Sequence, residues 1–150
     1  MSAPSSVGHP LARWLRARVL ALRADTRRRN FPGCVELVTA DAPPGAEPAS
    51  RWDYDTEETD HGLRVDVLVS LMTDCTIRER AALTLVHVRR GHHEPSDADL
   101  GWASAAVVAA AISGVELTST VIVSRWGWLD VRTGASQTWV RPRPSDTAVG

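Results

Sequence analysis

One hundred and fifty residues suffice for one domain with a real core and are too few for two comfortable ones. Apolar residues at 43% and charged residues at 23% fit an ordinary globular protein. The longest nearly apolar run, Ala103 to Ile112, falls far short of the ~20 residues that a membrane-spanning helix needs. The formal net charge of −1 hides an asymmetry. Residues 1–33 carry seven Arg against Asp25, a net of +6, and residues 34–62 carry Arg51 against eight acids, a net of −7. A basic end and an acidic middle predict either internal pairing or subunits that meet head to tail.

No apolar core follows the N-terminal charges, so no secretion signal is expected. Cys34 and Cys75 are too far apart for a metal or redox motif, which points to a reduced, cytoplasmic setting with two idle thiols. All 17 basic residues are Arg, consistent with the coding bias of a GC-rich bacterial genome.

Taken in order, residues 1–8 read as a lead-in. From Pro10 to Arg29, Leu11, Trp14, Leu15, Val19 and Leu22 recur at three and four, the stripe of an amphipathic helix, with Arg27, Arg28 and Arg29 at its C-terminal end. Cys34 to Thr39 reads as a short strand. Residues 40–61 form an acidic loop in which Trp52 and Tyr54 sit among Asp53, Asp55, Glu57, Glu58 and Asp60 and could anchor a partner.

Gly62 to Leu71 sets Leu63, Val65, Val67, Val69 and Leu71 at period two, with only Leu68 apolar on the other side, and predicts a central strand. Thr76 with Glu79, and Arg89, Arg90 and Gly91 as an end, fit a helix over Ile77 to Arg90, but Thr84, Val86 and Val88 at period two fit a strand over Leu83 to Arg89, paired with the first as a long hairpin after a helical turn near Thr76; the strand is preferred. Ser96, Asp97 and Asp99 begin a helix over 97–113, with Leu100, Val107, Val108 and Ile112 as its contacts to the sheet. Leu117–Arg125, Trp128–Arg132 and Ser136–Arg141 complete the strands, the last two as a hairpin about Thr133 to Ala135, and 142–150 is a tail. The expected class is α+β. It has a mostly antiparallel sheet of five to six strands, with the N-terminal helix and the Ala-rich helix packed on it, as one domain over 9–141.

Catalytic chemistry is hard to find in this chain. It lacks a G-x-S-x-G elbow, a phosphate-cradling Gly loop and a dinucleotide fingerprint. Cys75 lies near Arg78 and Arg80 without a placed His. His87, His92, His93, Glu94, Asp97 and Asp99 have the side chains of a zinc site but match no ligand spacing, so a polar loop beside a helix start is the simpler reading and no metal or cofactor is expected. The Arg-rich helix has no interleaved aromatics to stack bases, so a solvated outer face is preferred to a nucleic-acid surface. Trp126, Trp128 and Trp139, brought together by the closing hairpin, either seal the core or form a subunit contact.

The segments HPLARWLRARVLAL, LRVDVLVSL, DADLGWASAAVVAAAI and the closing TWVRPRP, taken as a pattern of elements, resemble the tail-terminator and head-to-tail connector proteins of long-tailed bacteriophages. The resemblance covers most of the chain but contains no specific motif. The strand near Leu83 and the acidic insertion depart from the simplest version of the pattern. What the resemblance implies is a non-enzymatic ring subunit, commonly a hexamer, that meets other virion proteins in the cytoplasm during assembly and ends in the virion, with no membrane and no nucleic acid as partner. Interface candidates are Trp52, Tyr54, Trp126, Trp128, Trp139 and Arg27 to Arg29. The alternatives are a small cytosolic enzyme or ligand-binding protein and a nucleic-acid module built on the Arg helix.

Overall fold

The computed structural model describes residues 9–25, 33–54, 59–78 and 82–139. Helix α1 (His9–Ala24) buries Leu11, Trp14, Leu15, Val19 and Leu22, the whole of its predicted stripe. These side chains meet Cys34, Val38, Val86, Val88, Val121 and Val123 on one face of the sheet. The Trp14 indole N–H donates to the Ala46 carbonyl at 2.9 Å, which ties the helix to the segment after β1. Arg27, Arg28 and Arg29 lie outside the described residues.

The sheet has six strands in the order β2-β1-β3-β4-β5-β6: β1 (Gly33–Thr39), β2 (Ser50–Asp53), β3 (Leu83–Arg89), β4 (Leu117–Ser124), β5 (Gly127–Asp130) and β6 (Ser136–Thr138). Every neighbouring pair is antiparallel except β3 and β4, which are parallel and joined by a helical crossover. This is the expected α+β class, with the hairpin turn at 133–135 as predicted. Every residue of β1 and β3 is buried, because helices cover both faces at the middle of the sheet. The acidic segment is less irregular than predicted: β2 lies within it and pairs Trp52 with Val35 at the sheet edge.

The largest correction concerns 62–71. It is not a strand but part of helix α2 (His61–Arg78), so β3 has no hairpin partner there and pairs with β1 and β4 instead. Two features outweigh the period-two pattern. Asp60 caps the helix start, its carboxylate accepting the Leu63 N–H at 2.7 Å. Leu68, Met72 and Cys75, spaced four and three apart, supply the buried stripe, while Val65, Val67, Val69 and Leu71 pack partly buried around it. Leu68, which spoils the strand pattern, is the centre of the helical one.

Helix α3 (Asp97–Ser113) has the expected bounds. Ser96 and Asp99 form a reciprocal capping box, and Gly114 ends the helix in the left-handed conformation with its N–H on the Ala110 carbonyl. Its orientation is opposite to the expected one. Trp102, Ala105, Ala106, Ala109 and Ala110 face α2 and the sheet, whereas Leu100, Val107, Val108 and Ile112 are exposed. Small side chains let α3 lie close to its neighbours, and the branched residues are left outside.

Candidate functional site

The carboxyl end of β3, the start of β1, the end of β2 and the first turn of α3 converge on a buried polar chain. Alternation along β3 turns His87 and Arg89 toward the helix side of the sheet, and the capping box turns Asp99 back toward them. Tyr54 Oη lies 2.7 Å from His87 Nε2, and His87 Nδ1 lies 2.7 Å from Asp99 Oδ1. Arg89 donates to Asp99 through Nε at 2.8 Å and Nη2 at 2.6 Å, and its other N–H groups go to the carbonyls of Arg90, His92 and Glu94. The Ser96 N–H and hydroxyl also reach Asp99 Oδ2.

Burial alone would raise the pKa of Asp99. The hydrogen bonds from His87, Arg89 and Ser96 outweigh it and hold the carboxyl far below the usual carboxylate range. With Asp99 ionised, its carboxylate accepts the His87 Nδ1–H, and the other ring nitrogen of His87 pairs with the Tyr54 hydroxyl. Trp52, Tyr54, His87 and Trp102 form an aromatic cluster around this chain, with centroids 5.8–6.3 Å apart, and the Arg64 guanidinium lies 5.7 Å from the Trp102 ring. Two glycines make the arrangement possible. A Cβ at Gly33, whose φ is +147°, would strike the Tyr54 hydroxyl, and one at Gly101 would strike the Arg64 guanidinium.

Asp, His and Tyr in line have the order of a proton relay, but His87 and Asp99 are fully buried and Tyr54 nearly so. As described, the chain is a closed latch: three donors from His87 and Arg89 tie the Asp99 carboxylate at the start of α3 to β3, and two more come from Ser96 at the helix cap.

A second cluster lies on the opposite face of the sheet. Buried Glu36 accepts both Nε and Nη2 of Arg18 at 3.0 and 3.1 Å and lies 3.6 Å from Arg51. The basic helix and the acidic segment are thus paired within one chain at this point. Trp14, Glu47 and Pro48 join these residues around a hollow of about 220 Å³. Burial, with the Glu36 carboxylate beside it, pushes the Cys34 thiol up to about 12, so this sulfur remains protonated and inert.

The predicted metal candidates are not brought together. His87 belongs to the buried chain, His92 stacks on Trp126 at 5.9 Å, His93 bonds Thr138 at 3.0 Å, and Glu94 and Asp97 are exposed. Among the described residues, no group of three or more His, Cys, Asp or Glu is placed to hold a metal ion. Trp128 is buried under the α1 side of the sheet, Trp126 is partly exposed, and the Trp139 N–H donates to the Trp126 carbonyl at 2.8 Å. The sequence reading missed Arg89 and the inward turn of Asp99. The signal available for both was the capping box, which fixes where an N3 carboxylate points.

The most open feature is the outer side of α3. Leu100, Val107, Val108 and Ile112 are 49%, 65%, 40% and 64% exposed, and no charged residue occurs from Leu100 to Val115. Beside them runs a groove of about 330 Å³ lined by Ala103, Val107, Leu117, Thr120, Val131 and Arg132. Scattered exposed apolar residues are ordinary, whereas these four lie on one helix beside an apolar groove. No described helix is long and apolar enough to cross a membrane. Comparison with protein-family models, with curated proteins and with solved structures finds no match.

Proposed function

We propose that this chain is a non-enzymatic assembly subunit, of the kind the tail-terminator and connector resemblance implies, and that it works by contact with further copies of itself. The exposed apolar side of α3 carries this reading. Water around those branched side chains is costly, and covering them with protein gains roughly 25 cal/mol for each Å² removed from solvent. The buried chain fits the same role. It anchors the first turn of α3, so the outer side is presented by a helix fixed at its start, and a pre-ordered surface loses less entropy on association.

The test compares the chain with its Val107→Asp variant by light scattering. An exposed Asp leaves the isolated fold intact, which circular dichroism checks, but it would lie buried and unpaired in any contact made through α3. The expected result is a wild-type assembly larger than one chain that the variant disperses. An assembly equally stable in the variant would contradict the reading.

A further inference from the structure

We propose that the hollow between α1 and the segment joining β1 to β2 binds a free α-amino acid with an apolar side chain. Arg18 and Arg51 hold its carboxylate, Glu47 holds its ammonium group, and the wall that includes Trp14 and Pro48 receives its side chain. This site lies on the α1 face of the sheet and is independent of the contact proposed for α3.

Strand β1 is buried along its whole length, yet it carries Glu36 at its centre. A buried ion pair adds little net stability, because the desolvation of both partners offsets their attraction and apolar residues of similar volume do as well. Charges kept beneath a hollow therefore point to a use. The Glu36 carboxylate is fully engaged by the chain: it accepts Arg18 Nε and Nη2 and the Cys34 thiol at 3.8 Å, and lies 3.6 Å from Arg51 Nη1. Its part is to position the two guanidinium groups. Asp53, 2.7 Å from Arg51 Nε, fixes the second of them from another edge. Arg18 Nη1 and Arg51 Nη2 are left without a partner among the described residues, and both arginines line the hollow. Two guanidinium groups fixed in this way, with donors remaining, suit a carboxylate, whose two oxygens each accept charge-assisted hydrogen bonds.

Charge decides which anion fits. Glu36 and Glu47 belong to the same lining as Arg18 and Arg51, so the lining is already balanced, and Asp53 adds a further acid beside Arg51. A phosphate or a dicarboxylate would bring negative charge that these acids oppose. A zwitterion brings no net charge. Glu47 is exposed, and its carboxylate has no partner among the described residues, which leaves it open to an ammonium group.

The rest of the lining includes Trp14, Ala17, Ala21, Ala46 and Pro48. Apolar walls with a few placed polar groups are the usual make-up of a small-molecule site. At about 220 Å³ the hollow is smaller than the roughly 300–1,000 Å³ typical for larger ligands, which suits a single amino acid. Its wall is also ordered in advance. The Ala46 N–H donates to the Pro43 carbonyl at 3.1 Å across Pro44 and Gly45, the latter at φ +81°, and the Trp14 indole ties this turn to α1. Less ordering is then lost on binding.

The test is isothermal titration calorimetry on the full chain with L-valine, L-leucine and L-methionine. At least one is expected to bind, at one site per chain. The N-acetyl derivative of the tightest binder lacks the ammonium group and mimics a peptide carboxyl terminus, and its amide lacks the carboxylate. Each should bind at least about tenfold more weakly. Arg51→Ala should weaken the amino acid about tenfold and Glu47→Gln about threefold. Ala21→Phe, at an exposed helix position, should fill the mouth and abolish binding. Arg18→Ala is avoided because it would leave Glu36 buried and unpaired. No heat from any of the three amino acids at about 10 mM would overturn the site, as would binding unchanged in both Arg51→Ala and Ala21→Phe. The N-acetyl derivative binding as tightly as its parent would assign a peptide terminus, and inorganic phosphate binding as tightly would assign a simple anion; either overturns the amino-acid proposal.

Discussion

Helices α1 and α3 are nearly equal in length, 16 and 17 residues, and lie on opposite faces of one sheet, yet they divide their side chains in opposite ways. Helix α1 buries its bulky residues, Leu20 apart, and leaves mostly polar ones outside, the usual arrangement for a helix covering a core. Helix α3 buries four alanines and Trp102 and leaves leucine, valines and isoleucine in water. The two helices also depend on different forces. Helix α1 is held by apolar burial, while α3 is held by close contact of small groups and by a polar latch at its start. That inward and outward division of α3 is the observation on which the proposed contact rests.

Substitutions break the comparison at different strengths. The largest effect is expected at the latch: Asp99→Ala strips a buried carboxylate from His87 and Arg89 and should cost about 3–5 kcal/mol in a denaturant titration. The sign with pH follows from the same group. The folded pKa of Asp99 lies below the unfolded value near 4, so its stabilisation is complete above that value and fades as the pH falls below it. On α1 the counterpart is Leu15→Ala, a fully buried truncation expected to cost about 2–5 kcal/mol with no dependence on the acid range. Ala106→Leu sharpens the contrast, because added volume between α3 and its neighbours should cost about 1–3 kcal/mol, measured the same way. Ser96→Ala, which opens the capping box, is expected to cost about 1 kcal/mol. Smallest of all, Val107→Ser should change the stability of the separated chain by less than about 0.5 kcal/mol while weakening its association.

Much of this fold was legible from pattern alone. The α1 stripe, β1, the closing strands and the capped start of α3 each carry a local signal strong enough to survive burial, while β3 was preferred as a strand over a competing helical pattern across 77–90. Residues 62–71 were not legible, because five apolar residues at period two satisfy a strand and Leu68, Met72 and Cys75 satisfy a helix, and only the tertiary partner decides between them. The buried side of α3 was misjudged for a different reason. Hydrophobicity favours Val107 and Ile112 for the core, but close helix contact favours the smaller Ala105, Ala106, Ala109 and Ala110. The polar chain lay beyond pattern reading, since Tyr54, His87 and Asp99 come from three separate elements that only the sheet topology brings together.

The most direct measurement is the mass of the full chain in solution, followed by sedimentation equilibrium over a concentration series. If the outer side of α3 is an interface, the mass rises above 16.3 kDa as concentration increases. A mass that holds at 16.3 kDa throughout would show that α3 presents its branched residues to water alone, and would contradict the assembly role.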